Sequence, residues 1–140
     1  MMRKLLATGL LLALTLALLV SLEQQSVAGD KKGGKKGPQL AHMVFFSLKD
    51  KSSKAKRQLV ELCNKYLSKH PGTVYYSAGV IVTELDRKVN VQDWDVSLHL
   101  VFQNKDYHDQ YQTAKRHLQF IKEGKDNWAK VRVFDSYVGK

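Results

Sequence analysis

The chain has 140 residues, 44% of them hydrophobic and 26% charged, an ordinary globular composition with room for one domain. That length excludes a multidomain enzyme, a full dinucleotide-binding fold and a long repeat array. Its 23 basic against 13 acidic residues give a formal charge of +10, and its single cysteine, Cys63, excludes an intrachain disulfide and a cysteine-based zinc site. At the N-terminus Arg3 and Lys4 precede an apolar run from Leu5 to Leu22, and Ser26-Val27-Ala28 sets small residues where a cleavage after Ala28 needs them. This is the layout of a secretory signal peptide over residues 1–28 and predicts export to the periplasm or the exterior. An uncleaved membrane anchor is the competing reading, because the run reaches the lower limit for a spanning helix. Residues 29–38 form a Lys/Gly-rich linker, with four lysines and two glycines from Lys31 to Lys36 that keep it solvated and able to touch anionic surfaces.

The folding unit is residues 39–140. His42 to Leu48 is short, β-branched and aromatic, a strand with His42, Val44, Phe46 and Leu48 on one face and Met43, Phe45 and Ser47 on the other. Ser52 or Ser53 caps the next element, a helix from Lys54 to Ser68 whose apolar stripe runs through Ala55, Leu59, Leu62, Cys63, Tyr66 and Leu67. His70-Pro71-Gly72 breaks it. Val74 to Glu84 is a second strand, with Gly79 marking a bulge or a close backbone approach. After a charged loop, Asp93 to Phe102 alternates as a third strand, with Trp94, Val96, Leu98, Leu100 and Phe102 on one face. Asn104 or Asp106 caps a second helix whose stripe is Tyr107, Tyr111, Ala114, Leu118 and Ile121. Trp128 to Val138 is the last strand.

The order strand, helix, strand, strand, helix, strand predicts an α+β chain: the ferredoxin-like split pattern, with a four-stranded antiparallel sheet and both helices on one face. The other face then carries Met43, Phe45, Tyr75, Ile81 and Val101, too apolar to stay wet. Packing that open face on a copy of itself gives a homodimer and closes an α/β barrel across a two-fold axis.

Ala41-His42-Met43-Val44-Phe45-Phe46-Ser47-Leu48-Lys49-Asp50 resembles the first strand and turn of the stress-responsive dimeric α/β-barrel family. Pro71-Gly72, the Val96–Phe102 strand leading to a helix with Tyr111, and the closing Arg132-Val133-Phe134-Asp135 are similar too, so the likeness spans residues 41–138. The resemblance implies a dimeric barrel in a functionally mixed family, many of whose members have no known activity. Some plant members are polyketide cyclases that use a helix tyrosine and a histidine six residues on. Tyr111 and His117 stand at that spacing, and His42 matches the histidine that opens the first strand. The chain departs from the family pattern at Ala114-Lys115, where a His-Pro pair is common, and at Val96, where the cyclases carry a further histidine.

The candidate site is therefore His42, Tyr111 and His117. Imidazoles exchange protons near neutral pH and a phenol polarises a carbonyl, a kit suited to proton abstraction beside a carbonyl. The plain alternative is a core tyrosine flanked by structural histidines. The leading expectation is an exported homodimer that is non-catalytic or binds a small apolar or aromatic ligand. A cyclase-like or monooxygenase-like enzyme is the second. No cofactor and no metal are expected: no histidine pair has metal-ligand spacing, and Asp106, His108 and Asp109 read as a solvated surface cluster. Nucleic acid is not an expected partner of an exported chain, despite the basic charge.

Overall fold

The computed structural model describes residues 37–139. The proposed signal peptide and most of the linker lie outside them. Among the described residues no helix is long and apolar enough to cross a membrane.

The elements are β1 (Gln39–Leu48), α1 (Ser53–Leu67), β2 (Thr73–Val80), β3 (Val96–Phe102), α2 (Lys105–Thr113), α3 (Lys115–Gly124) and β4 (Trp128–Val138), with one 3-10 turn (Lys125–Asn127) before β4. The four strands form one antiparallel sheet in the order β2-β3-β1-β4. This is the ferredoxin-like split arrangement expected from the element order. The core lies between β1–β3 and the helices: Val44, Phe46, Leu48, Val96, Leu98, Leu100 and Phe102 from the sheet meet Leu59, Cys63, Leu67, Tyr111 and Phe120 from the helices. Cys63 is fully buried, and burial pushes its thiol up to about 12, so it is inert at neutral pH.

Ser52 caps α1, its hydroxyl accepting the Ala55 N–H at 3.2 Å. Asn104 caps α2, its side-chain oxygen accepting the Tyr107 N–H at 3.2 Å. Between α1 and β2 the chain turns through Gly72 at φ +72°, where a Cβ would stand 2.0 Å from the Tyr107 ring. Only glycine lets β2 pass that close beneath α2.

Four details differ from the sequence expectation. First, β2 ends at Val80 rather than Glu84, and Ile81 leaves the sheet with its N–H donating to the Asp95 carbonyl. Second, the irregularity in β2 falls between Thr73 and Tyr75, while Gly79 meets nothing within 4 Å. Third, Trp94 stands on the open face, its ring 5.1 Å from Phe45, because β3 begins only at Val96. Asp95 is what turns the chain there: its N–H donates to the Phe46 carbonyl, and its carboxylate accepts from Leu48 N (2.8 Å) and Lys56 Nζ (3.0 Å). A buried carboxylate satisfied in this way fixes the backbone and leaves its neighbour facing outward. Fourth, the expected second helix is two. Ala114 is extended at ψ 138°, which ends α2 and starts α3 in a new direction.

Candidate functional site

The break at Ala114 shapes the site. Along one straight helix His117 would lie on the flank of the Tyr111 stripe. The new direction of α3 instead brings the two rings to 4.5 Å between centroids. The His117 Nδ1–H donates to the Gln112 carbonyl at 3.0 Å and so covers an orphan acceptor at the end of α2. A carbonyl only accepts, so the proton sits on Nδ1 and the Nε2 lone pair is left for a ligand.

His42 stands in β1 directly opposite Asp135 in β4. Its Nδ1 lies 2.6 Å from Asp135 Oδ1, which again leaves the lone pair on Nε2. The His42 ring makes an edge contact with Tyr111 at 5.8 Å. The three residues expected from sequence are thus gathered around one point.

Sequence reasoning missed three more participants. His70, in the turn after α1, stacks edge-on against Tyr111 at 4.9 Å, and its Nε2–H donates to the Tyr66 carbonyl. His108 turns inward toward His42, with ring centroids 5.0 Å apart, instead of joining a surface cluster with Asp106. Asp135 orients His42. Periodicity carried a partial signal: His108 lies one position after Tyr107 and three before Tyr111, close to the apolar stripe. Asp135 entered the family likeness only as part of the closing Arg132-Val133-Phe134-Asp135 segment, and its role beside His42 depends on strand register.

Burial holds His42 below its ordinary pKa, outweighing the hydrogen bond and charge of Asp135. Burial also lowers His70 and His117, against the backbone carbonyl each donates to. All three are neutral at pH 7. Burial raises the Tyr111 phenol, so it stays protonated and is able to donate a hydrogen bond. The arrangement offers neutral imidazole bases and one phenolic donor, the combination that binds or polarises an oxygen on a small molecule.

A cavity of about 200 Å³ lies here, lined by His42, Tyr111, Gln112, His117 and Asp135 together with Val44, Phe46, Leu98, Phe120 and Val133. A larger groove of about 430 Å³ runs between α1 and the α3–β4 junction. It carries no histidine or tyrosine, and its charged pair Lys65 and Glu123 lie 3.7 Å apart. The smaller cavity is the one with chemistry in its walls. His42, His108 and Asp135 also place one potential metal-ligating atom each within 4.8 Å of one another.

No curated protein matches the chain. Solved structures match its fold. A Dabb family protein with a ferredoxin-like fold from Mesorhizobium loti is 18% identical, with a TM-score of 0.62 over 74% of this chain and all of that one. A dimeric ferredoxin-like protein of unknown function from Thermobifida fusca is 15% identical, with a TM-score of 0.60 over 74% of this chain and 93% of that one. A hydroxynitrile lyase from Passiflora edulis is 15% identical, with a TM-score of 0.60 over 74% of this chain and 95% of that one. The sequence model of the Stress responsive A/B Barrel Domain matches residues 40–138, so the chain belongs to the stress-responsive A/B barrel domain family.

Proposed function

We propose that the protein is an exported homodimer whose cavity between sheet and helices holds a small, largely apolar, one-ring ligand bearing an oxygen. The observation that carries this is the cavity itself, with apolar walls and neutral His42, protonated Tyr111 and neutral His117 converging on it. At about 200 Å³ it is smaller than the roughly 300–1,000 Å³ of drug-sized sites and near the roughly 150 Å³ that accommodates a benzene ring. The size favours a single aromatic ring over an extended polyketide. Ligand-observed NMR with a panel of phenols, aryl ketones and aryl aldehydes tests this. The expected result is saturable binding that weakens at least about tenfold in Tyr111→Phe, as loss of one buried hydrogen bond implies. A panel without a binder, on protein whose dimer is intact, overturns it.

The homodimer is supported by the open sheet face. Phe45, Trp94 and Phe134 line an apolar hollow there with Val91, and Phe134 and Tyr75 are each more than half exposed. The Thermobifida fusca relative is described as dimeric. Export rests on the sequence of residues 1–28, and N-terminal sequencing of material recovered outside the cytoplasm should begin near Gly29. Recovery of intact Met1 in the membrane fraction favours an anchor.

A second reading is proton-transfer catalysis. His42, oriented by Asp135 at 2.6 Å, is built as a base held by a carboxylate, and the Tyr111 hydroxyl is the matching oxygen donor. The Passiflora edulis hydroxynitrile lyase shares this fold, so the fold admits an enzyme. Turnover of any bound carbonyl compound that Tyr111→Phe abolishes would favour this reading over simple binding.

A further inference from the structure

We propose that His42, His108 and Asp135 form a site for one divalent first-row transition cation where β1, β4 and α2 meet. The three residues come from three elements. The β1–β4 register sets Asp135 opposite His42, and α2 lays His108 over His42 with ring centroids 5.0 Å apart. One donor atom from each lies within 4.8 Å of the other two. Bonds of about 2.0–2.2 Å to imidazole nitrogen and carboxylate oxygen place donors roughly 3–3.5 Å apart around such an ion. The widest separation therefore needs to close by about 1 Å, and the ion replaces the proton that His42 Nδ1 shares with Asp135 at 2.6 Å. Asp135 can supply that movement, because it sits on an edge strand with its side chain 47% exposed.

The donor set selects the class of ion. Two imidazoles and one carboxylate suit zinc, cobalt, nickel or ferrous iron, and offer too few oxygens for calcium or magnesium. The Gln112 side-chain amide donates to the His108 Nε2 lone pair at 3.0 Å, so an ion bound at that nitrogen takes the place of the amide. The opposite nitrogen, Nδ1, lies 3.3 Å from the Asp109 carboxylate. A carboxylate behind a histidine is the support that holds metal-ligating rings in place and raises their basicity.

Access is graded in the direction a cation needs. The side chains of His42 and His108 are 6% and 13% exposed, so ions enter past Asp135. His42 and Asp135 also line the 200 Å³ cavity, so coordination positions not filled by protein face the ligand space. Three protein ligands with a position left open is the arrangement of catalytic rather than structural zinc sites. This inference goes beyond the ligand-binding reading and does not need it, since the cation can be titrated with no organic molecule present.

The test is cobalt titration of chelator-stripped protein, purified without a histidine tag and followed by visible absorption, with zinc competition. One equivalent of cobalt per chain, displaced by zinc and not by magnesium, is expected. His108→Gln and Asp135→Asn should each weaken binding at least about 30-fold, and Asp109→Asn by roughly 10–100-fold through loss of ring support. His99→Gln, on the opposite sheet face, should bind like the parent. Absence of a cobalt spectrum at millimolar ion overturns the proposal, as does equal affinity in a folded His108→Gln or Asp135→Asn protein. If His108→Gln fails to fold, Asp135→Asn decides, because its exposed edge position tolerates the change. Equal loss in His99→Gln would show that the ion sits elsewhere and would also overturn the site.

Discussion

On the helix-covered face of the sheet, β1 and β3 are packed to near-zero exposure, yet this face holds His42, His70, His108 and His117 around Tyr111. On the opposite face no helix or strand among the described residues covers the sheet, yet its surface is mostly apolar: Met43, Phe45, Tyr75, Trp94, Val101 and Phe134, with His99 beside Met43. The polar groups are where water is excluded, and the greasy groups are where water has access. Each arrangement is unfavourable unless something completes it. On the first face the completion is internal: every histidine has a hydrogen-bond partner, and His42 and His117 also line a cavity. On the second it must come from another surface. The difference separates a buried polar cluster that is satisfied from within from an apolar surface that lacks a cover among the described residues.

The sharpest way to break the comparison is to charge the open face. Phe45→Asp should lower dimer affinity at least about 100-fold, since placing an unpaired carboxylate in an apolar interface costs roughly 3 kcal/mol or more. Sedimentation at micromolar concentration checks it. Helix-face packing should survive, visible as a retained near-ultraviolet spectrum. A parent protein that is a folded monomer at that concentration would remove the need for a partner.

Next in size are two changes that strike the covered face. Gly72→Ala should destabilise the fold by about 2–4 kcal/mol, combining a positive φ with a Cβ driven into Tyr107. Asp95→Ala should cost about 2–4 kcal/mol, because it strands the Leu48 N–H and the Lys56 ammonium. Denaturant midpoints read both. Burial alone would raise the Asp95 pKa, but the Leu48 N–H and Lys56 outweigh it and hold it below the ordinary carboxylate value. Its contribution is therefore present above about pH 4 and is lost as pH falls through the depressed folded value.

The histidines predict a second pH dependence that separates the faces. His42, His70, His99 and His117 are all held below 6.5, chiefly by burial. The unfolded chain then binds more protons than the folded chain just below 6.5, so stability is full above about pH 7 and falls as pH drops from there. Three of these groups lie on the helix face and should lower the unfolding midpoint. His99 lies on the open face, and because a partner surface would bury its ring further, its protonation should weaken the dimer. His99→Gln is expected to flatten the acid dependence of dimer dissociation while leaving most of the acid dependence of unfolding. The smallest effect is Tyr111→Phe, expected to change stability by no more than about 1 kcal/mol while weakening ligand binding. A large loss of stability there would mark Tyr111 as purely structural.

Much of this molecule was legible in its residues, for a physical reason. Strand and helix periodicities are local, so alternation in 42–48 and the Leu59–Cys63–Leu67 stripe announced β1 and α1. The order of elements then restricted the topology to a ferredoxin-like sheet with one bare face. The three expected site residues could be picked from the family likeness, and the cavity gathers all three.

What remained hidden depends on contacts distant in sequence. Asp95 pairs with residues 47 and 39 positions away and thereby turns Trp94 to the open face against the simple alternation. The helix break at Ala114 brings His117 onto the Gln112 carbonyl, a contact that periodicity does not encode. Asp135 reaches His42 across 93 residues, through a register that only strand pairing sets. The sequence by itself determined which faces are apolar, because that is a matter of spacing along one element. The tertiary structure alone decided which polar groups meet, because a buried hydrogen bond is chosen by the packing that brings its partners together.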